Sequence, residues 1–338
     1  MSAYSVVRGT IADGTPAPCA CCTVRSRHDA AVRPFRFGVI AKEAPSFAEW
    51  AARARRAEEL GYDVLLITDH LGRQLSPFPA LASAAAVTTR IRLGGFVFAN
   101  DHRSPVMLAK EAATLDVLSG GRLELGLGAG WAAYEYSQLG IAYDPPAVRV
   151  GRMIEAVGLI QRLWAEDAVD HRGAHYRLRG ARVLPKPLQR PRPPIMVGGG
   201  GPRVLRFAAR TADIVALAPH VDAEGRPVLP SLTTADVAEK VALVRDAAGE
   251  RWDRVELNVI VFDAAVSSDR HSLLANVATR LKATAAAIVD SPFFLFGSLE
   301  EVRERLLRRR EDLAISYVAI PQAAMEDLAP LVAELRGR

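Results

Sequence analysis

Between Arg122 and Tyr136 the chain reads RLELGLGAGWAAYEY, and this stretch limits what the protein can fold into more than any other. Apolar residues alternate as in a strand up to Leu127, side chains vanish at Gly128, Ala129 and Gly130, and helical spacing resumes at Trp131. A strand whose carboxyl end carries almost no Cβ lets a large flat molecule lie against its backbone. Ile195 to Pro202, IMVGGGGP, repeats the arrangement about one βα unit later. The two tips are read as the floor and phosphate cradle of one cofactor site.

Around these tips the pattern is regular from Phe35 onward. Arg36 to Ala41, Val64 to Thr68, Ile91 to Ala99, Asp213 to Ala218, Val255 to Phe262 and Ser316 to Ile320 read as further strands. Val64 to Thr68 is continuously apolar, the mark of a strand buried on both faces. Helical stretches separate them: Ser46 to Leu60 closed by Gly61, Pro79 to Thr88, Ser104 to Leu118 with Ser104 as cap and Pro105 in the first turn, and Val148 to Trp164. Pro202 to Thr211, Thr234 to Ala248 and Leu299 to Asp312 complete the set.

Eight β units alternating with helices in 338 residues predict an α/β fold, a (β/α)8 TIM barrel. Insertions are expected after strands 4 and 7, the first with a short hairpin around HRGAHYRLRG. A doubly wound open sheet is the competing architecture, but its fingerprint should open the first βα turn. That turn here is AKEAPS, and the glycines gather at strands four and five. The barrel domain is expected over 34–338, with 1–33 a disordered or loosely attached extension rich in Gly, Pro, Ser and Ala.

Composition narrows the function. A net charge of +5 is spread over helix faces and often paired with acids, as in Glu300 to Asp312, which argues against a nucleic-acid partner. Apolar runs fall short of the ~18 residues that span a bilayer, so no membrane partner is expected. The cysteines, Cys19, Cys21 and Cys22, all lie in the extension, which argues against a disulfide framework and for a cytoplasmic protein. Without a matching distant His or Cys set they give no reason to expect a metal.

In a TIM barrel the strand carboxyl ends form the active face. His70, beside Asp69, is the best acid/base candidate there, because imidazole titrates near neutrality; a structural histidine at a strand end would look the same. Gly198, Gly199, Gly200 and Gly201 before Pro202 suit an anion, with bare amides at a helix's positive end and Arg203 adding charge. An ordinary glycine-rich turn has the same sequence. Trp131 is placed to stack on a planar ring, to wall a substrate pocket or simply to cover the barrel top. His171 and His175, four apart but on no convincing helix, are read as surface residues.

TDH after the second strand, LGGFV in the third, the run LAKEAATLDVLSGGRLELGLGAGW, and IMVGGGGP before a helix resemble the bacterial luciferase-like superfamily. Within it they are most similar to the F420-dependent oxidoreductases, from about Phe35 to the carboxyl terminus. The resemblance implies a TIM barrel holding coenzyme F420, or alternatively FMN as in the related monooxygenases. It implies that Asp69 and His70 border the reactive ring and that Phe96 and Val97 form a non-proline cis peptide behind it. Ala99 falls where many relatives offer a hydroxyl. Gly128, Ala129 and Gly130 would back the ring or its ribityl chain, and Gly199, Gly200 and Gly201 would hold the phosphate. Trp131 and Tyr134 stand where the sugar-phosphate dehydrogenases of this group carry an acid and an amide, which implies a more apolar pocket for a small organic substrate. Relatives commonly pair, so a homodimer is expected. A carrier or sensor that has lost turnover is the reading from another class.

Overall fold

The computed structural model describes residues 33–222, 226–267, 269–282 and 284–338. Apart from Arg33, the expected extension with its three cysteines lies outside the described residues. Eight strands pair in parallel: Arg36–Ile40 (β1), Val64–Ile67 (β2), Arg92–Gly95 (β3), Leu123–Gly128 (β4), Ile195–Gly199 (β5), Ile214–Leu217 (β6), Glu256–Ile260 (β7) and Ile315–Pro321 (β8). Each pairs with the next and β8 returns to β1, so the sheet closes into a TIM barrel.

Two apolar layers hold it. Inside the barrel Ile40, Val64, Leu66, Met196, Ile214, Ala216, Tyr317 and Ala319 pack together. Their strand neighbours Val39, Leu65, Val197, Val215 and Val318 face the surrounding helices in a larger cluster. Side chains that alternate between two buried surfaces explain why these strands are apolar at nearly every position.

Local signals set the helix ends. Ser46 Oγ accepts the Glu49 N–H at the start of Phe47–Glu59, and Gly61 follows that helix at φ 85°. Ser298 and Glu301 form a reciprocal capping box at the start of Leu299–Leu313. The second helix differs from its expected span. It runs Pro77–Ala85, because proline is preorganised for the first helical position and Ser76 before it is extended.

The third strand is also shorter than the run IRLGGFVFA suggests. It ends at Gly95, the Phe96–Val97 peptide is cis, and pairing with β4 resumes only at Phe98–Ala99. Phe96 and Val97 both pack on the barrel interior, which two successive residues of an unbroken strand do not do.

The insertion after β4 contains helices Ala133–Leu139 and Pro146–Ala165 and the antiparallel hairpin Val169–Arg172/Arg177–Ala181. The insertion after β7 adds helices Arg270–Leu281 and Ala285–Val289, and strand Asp263–Val266 parallel to Phe294–Gly297. Among the described residues no helix is long and apolar enough to cross a membrane.

At the amino-terminal end of the strands the interior turns polar. Arg36 reaches Glu256 at 2.5 Å and also pairs with Glu124, to which Arg92 Nε donates at 2.6 Å. The Arg36 guanidinium lies 4.6 Å from the centre of the Tyr317 ring, so the ion network caps the apolar interior. Burial, opposed by Arg36, raises the Glu256 carboxyl above its ordinary value. Removing the shared acceptor leaves two partly buried guanidinium groups, about a quarter exposed, each short of one partner. Glu124→Ala is therefore expected to destabilise the barrel by about 3 kcal/mol, read as a lowered urea midpoint. An unchanged midpoint would show that the network contributes nothing.

Candidate active site

β2, β3, β4 and β5 are neighbours, and every residue expected at the site lies at or just beyond their carboxyl ends. Pairing of Leu127 with Val197 sets Gly128 level with Gly198, so the two glycine tips open on one mouth. Val97 lies between them. A Cβ added to Gly128 would come within 2.6 Å of a Val97 methyl, one on Gly126 within 3.0 Å, and one on Gly198 within 3.2 Å. The side chain missing from three positions on two strands is thus supplied once, by Val97 from the third.

Beyond this floor Gly200 runs against the chain after β6, where an added Cβ would lie 2.5 Å from the Ala218 carbonyl oxygen. Gly201 then caps helix Pro202–Thr211 without a side-chain hydrogen bond, and space around its Cα is open. Amides of a first helical turn without a capping side chain suit an anionic oxygen. Arg203 differs from expectation: its Nη1 donates to the Ala147 carbonyl at 2.7 Å, which ties the guanidinium to the helix after β4.

Ala129, Gly130 and Trp131 are held through their carbonyls. The Tyr136 hydroxyl lies between the Asp101 carboxylate at 3.0 Å and the Ala129 carbonyl at 3.2 Å, Arg149 donates to Gly130, and Tyr143 donates to Trp131 at 2.9 Å. Gly130 has φ 73°, and the Tyr136 ring occupies the place a side chain there would need. Arg149 is buried, lies 4.2 Å from the Tyr143 ring centre and also donates to the Asp144 carbonyl.

Asp69 is buried at the tip of β2. Its two oxygens accept from the Arg103 fork at 2.5 and 2.9 Å, and the Ala99 N–H donates to it at 3.0 Å. Asp69 therefore fixes the chain after β3 instead of facing an open pocket. Ala99 takes part through its backbone. Burial raises the Asp69 carboxyl, but the neighbouring His102 imidazole, 3.7 Å away, and the Arg103 fork outweigh it and bring the pKa down to about 2.

His70, half-exposed, turns Nδ1 to the buried carboxylate of Glu135, 3.0 and 3.2 Å from its two oxygens. The same carboxylate accepts the Leu71 N–H at 3.0 Å and the Tyr134 hydroxyl at 3.4 Å. A carboxylate only accepts, so Nδ1 carries the proton and Nε2 is left for chemistry. Trp131 meets the imidazole edge-on, with centroids 5.4 Å apart. About half of Tyr134 is exposed, and the partial burial of the rest together with Glu135 raises its hydroxyl pKa.

Sequence reasoning missed Glu135. An acid between two tyrosines in the first turn of a helix was visible, but the histidine it holds lies 65 positions away. The pairing of Arg103 with Asp69 and the role of Arg149 were missed for the same reason. His171 and His175 are half-buried instead of exposed: His171 Nε2 lies 2.8 Å from Glu155, and the His175 N–H donates to the same carboxylate at 2.9 Å.

The closed parallel barrel and its glycine-tipped mouth define a TIM-barrel protein with side-chain-poor strand tips at the carboxyl end. Residues 30–316 match the family model for luciferase-like monooxygenases, and the chain belongs to that family. It is 35% identical over 212 residues to an F420-dependent glucose-6-phosphate dehydrogenase of Kineococcus radiotolerans, covering 59% of this chain and 62% of the relative. A Nakamurella multipartita protein of the same name is 31% identical over 273 residues, 77% of each chain. The coenzyme F420 dependent tetrahydromethanopterin reductase from Methanopyrus kandleri shares the fold, with TM-score 0.71, 17% identity, and 90% of this chain and 100% of that one covered.

The Asp69 carboxyl titrates lower in the folded chain than in the unfolded chain, so its stabilisation is present above an unfolded pKa of ~4 and disappears as pH falls through about 2. Asp69→Asn should accordingly be less stable than the parent by about 2 kcal/mol near neutrality, the gap closing between about pH 4 and 2. Urea midpoints across that range check it, and a gap independent of pH would refute it.

Proposed function

We propose that the protein is a coenzyme F420-dependent oxidoreductase that moves a hydride between the deazaflavin and a small organic substrate. The observation that carries this reading is the shared mouth: two glycine tips over Val97, one followed by the helix start at Pro202 and the other by Trp131, whose ring meets His70. The residues fit the group in presenting little but backbone: Gly128, Ala129 and Gly130 carry almost no side chain, and Gly201, the cap of helix Pro202–Thr211, has no side-chain hydrogen bond and open space about its Cα. The F420-dependent names of the relatives point the same way.

When bound, the deazaflavin supplies a two-electron hydride carrier. Gly128, Ala129 and Gly130 back its ring or ribityl chain, Phe96 and Val97 lie behind it, and Gly198 to Gly201 receive the phosphate. Asp69 holds the chain around Ala99 in place beneath the ring. His70 gives or takes the substrate proton at Nε2 while Glu135 fixes the imidazole, and Trp131 with Tyr134 shields the place from water. A homodimer in the cytoplasm is the assembly and location that go with this reading.

The family model is named for monooxygenases, so FMN is the second cofactor to test. Added to the purified chain, F420 is expected to lose fluorescence at micromolar protein while FMN does not; the reverse result would replace the proposal by the monooxygenase. His70→Ala is expected to cut kcat by 10²-fold or more, the usual range for a positioned acid or base. Glu135→Gln should cost roughly tenfold alone and nothing further in the His70→Ala background, because it acts through the imidazole. Additive losses would separate the two residues.

A further inference from the structure

The protein leaves large apolar side chains in water around the imidazole of His70. Leu71, Trp131 and Tyr134 are 46%, 39% and 53% exposed. All three belong to the His70–Glu135 unit: Leu71 through its N–H on Glu135, Trp131 by its edge contact with the imidazole, Tyr134 through its hydroxyl on Glu135. Val228 and Phe262, on the loops after β6 and β7, are exposed at the same end of the barrel. An apolar rim about a single polar group is the usual lining of a site for a small, mostly apolar molecule.

Three arginines at this end already hold other groups, while Lys42 and Arg73 on the loops after β1 and β2 are exposed. Arg103 spends its fork on Asp69, Arg149 donates to the Asp144 and Gly130 carbonyls, and Arg203 donates to Ala147. A phosphate dianion on the substrate calls for at least one such fork. The glycine-rich helix start is assigned to the cofactor.

We infer that the substrate is a neutral, largely apolar carbonyl compound or its alcohol, lying between Leu71, Trp131 and Tyr134 with its one oxygen on His70 Nε2, and not a sugar phosphate. This rests on the F420 reading and adds the substrate class to it. Trp131 and Tyr134 set the specificity by covering the carbon skeleton, and His70 by bonding the oxygen.

The test uses the full chain loaded with F420, loading being read separately from the fluorescence quench. Calorimetric titration of the loaded protein with 2-cyclohexenone is expected to show saturable binding, and titration with glucose 6-phosphate none. Trp131→Ala should weaken the ketone by about tenfold, the loss expected from uncovering one large aromatic face. Leu71→Ser should weaken it severalfold while the F420 quench stays as in the parent, since the Leu71 N–H that meets Glu135 is kept. Absence of ketone binding by the loaded protein, or ketone affinity unmoved by both substitutions, overturns the inference and leaves the F420 reading standing. So does tighter binding of glucose 6-phosphate that disappears in a Lys42→Ala/Arg73→Ala double variant, because those two exposed cations on the β1 and β2 loops would then be holding a phosphate. Failure of F420 to quench at all overturns both.

Discussion

The site depends on one packing constraint, the seat of Val97. Its methyl groups fill the space left by glycines at 126, 128 and 198, which belong to two neighbouring strands, while the residue itself comes from the broken end of a third. A side chain at Gly128 would displace Val97, one at Gly126 would first strike the Gly95 carbonyl, and one at Gly198 would crowd Val97. The flatness of the mouth is therefore a property of four positions together. Phe96, packed on the barrel interior beside Val97, joins this seat to the apolar layer beneath it.

The two ends of the barrel solve different problems. At the amino-terminal end Arg36, Arg92, Glu124 and Glu256 neutralise one another and close the interior with ion pairs. At the carboxyl end the ion pairs lie sideways, within and between loops: Asp69 with Arg103, and Asp101 and Asp144 with Arg152. Charge is kept where it orders the loops and away from the place proposed for the ring.

Much of this was legible before any coordinates. The eight strands and most helices announced themselves through signals spanning a few residues: apolar runs, Ser104 before Pro105, Gly61 after a helix, and glycines at two strand tips. Closure followed from counting, since parallel strands joined by helices have few ways to bury both faces. The strand break at Phe96 was expected only from family likeness, because nothing in LGGFV distinguishes it from a continuous strand. What could not be read were partnerships across sequence. Glu135 with His70, Arg103 with Asp69, and Arg149 with Gly130 each join residues that local pattern leaves unrelated, and their meeting is fixed by the barrel's closure. His171 illustrates the opposite error: a polar residue in a basic hairpin looked solvated, yet Glu155 on the preceding helix draws it in.

The carbonyls of Ala129, Gly130 and Trp131 are all gripped by side chains that follow them in the chain, Tyr136, Arg149 and Tyr143. The loop and the start of the long helix Pro146–Ala165 consequently behave as one exchangeable cassette. Grafting a relative's residues 128–131 alone onto this scaffold would transplant a shape without its anchors. Recruiting the barrel to a new task, in the laboratory or over descent, would have to carry the whole stretch from Gly128 to Arg149 as a single heritable part.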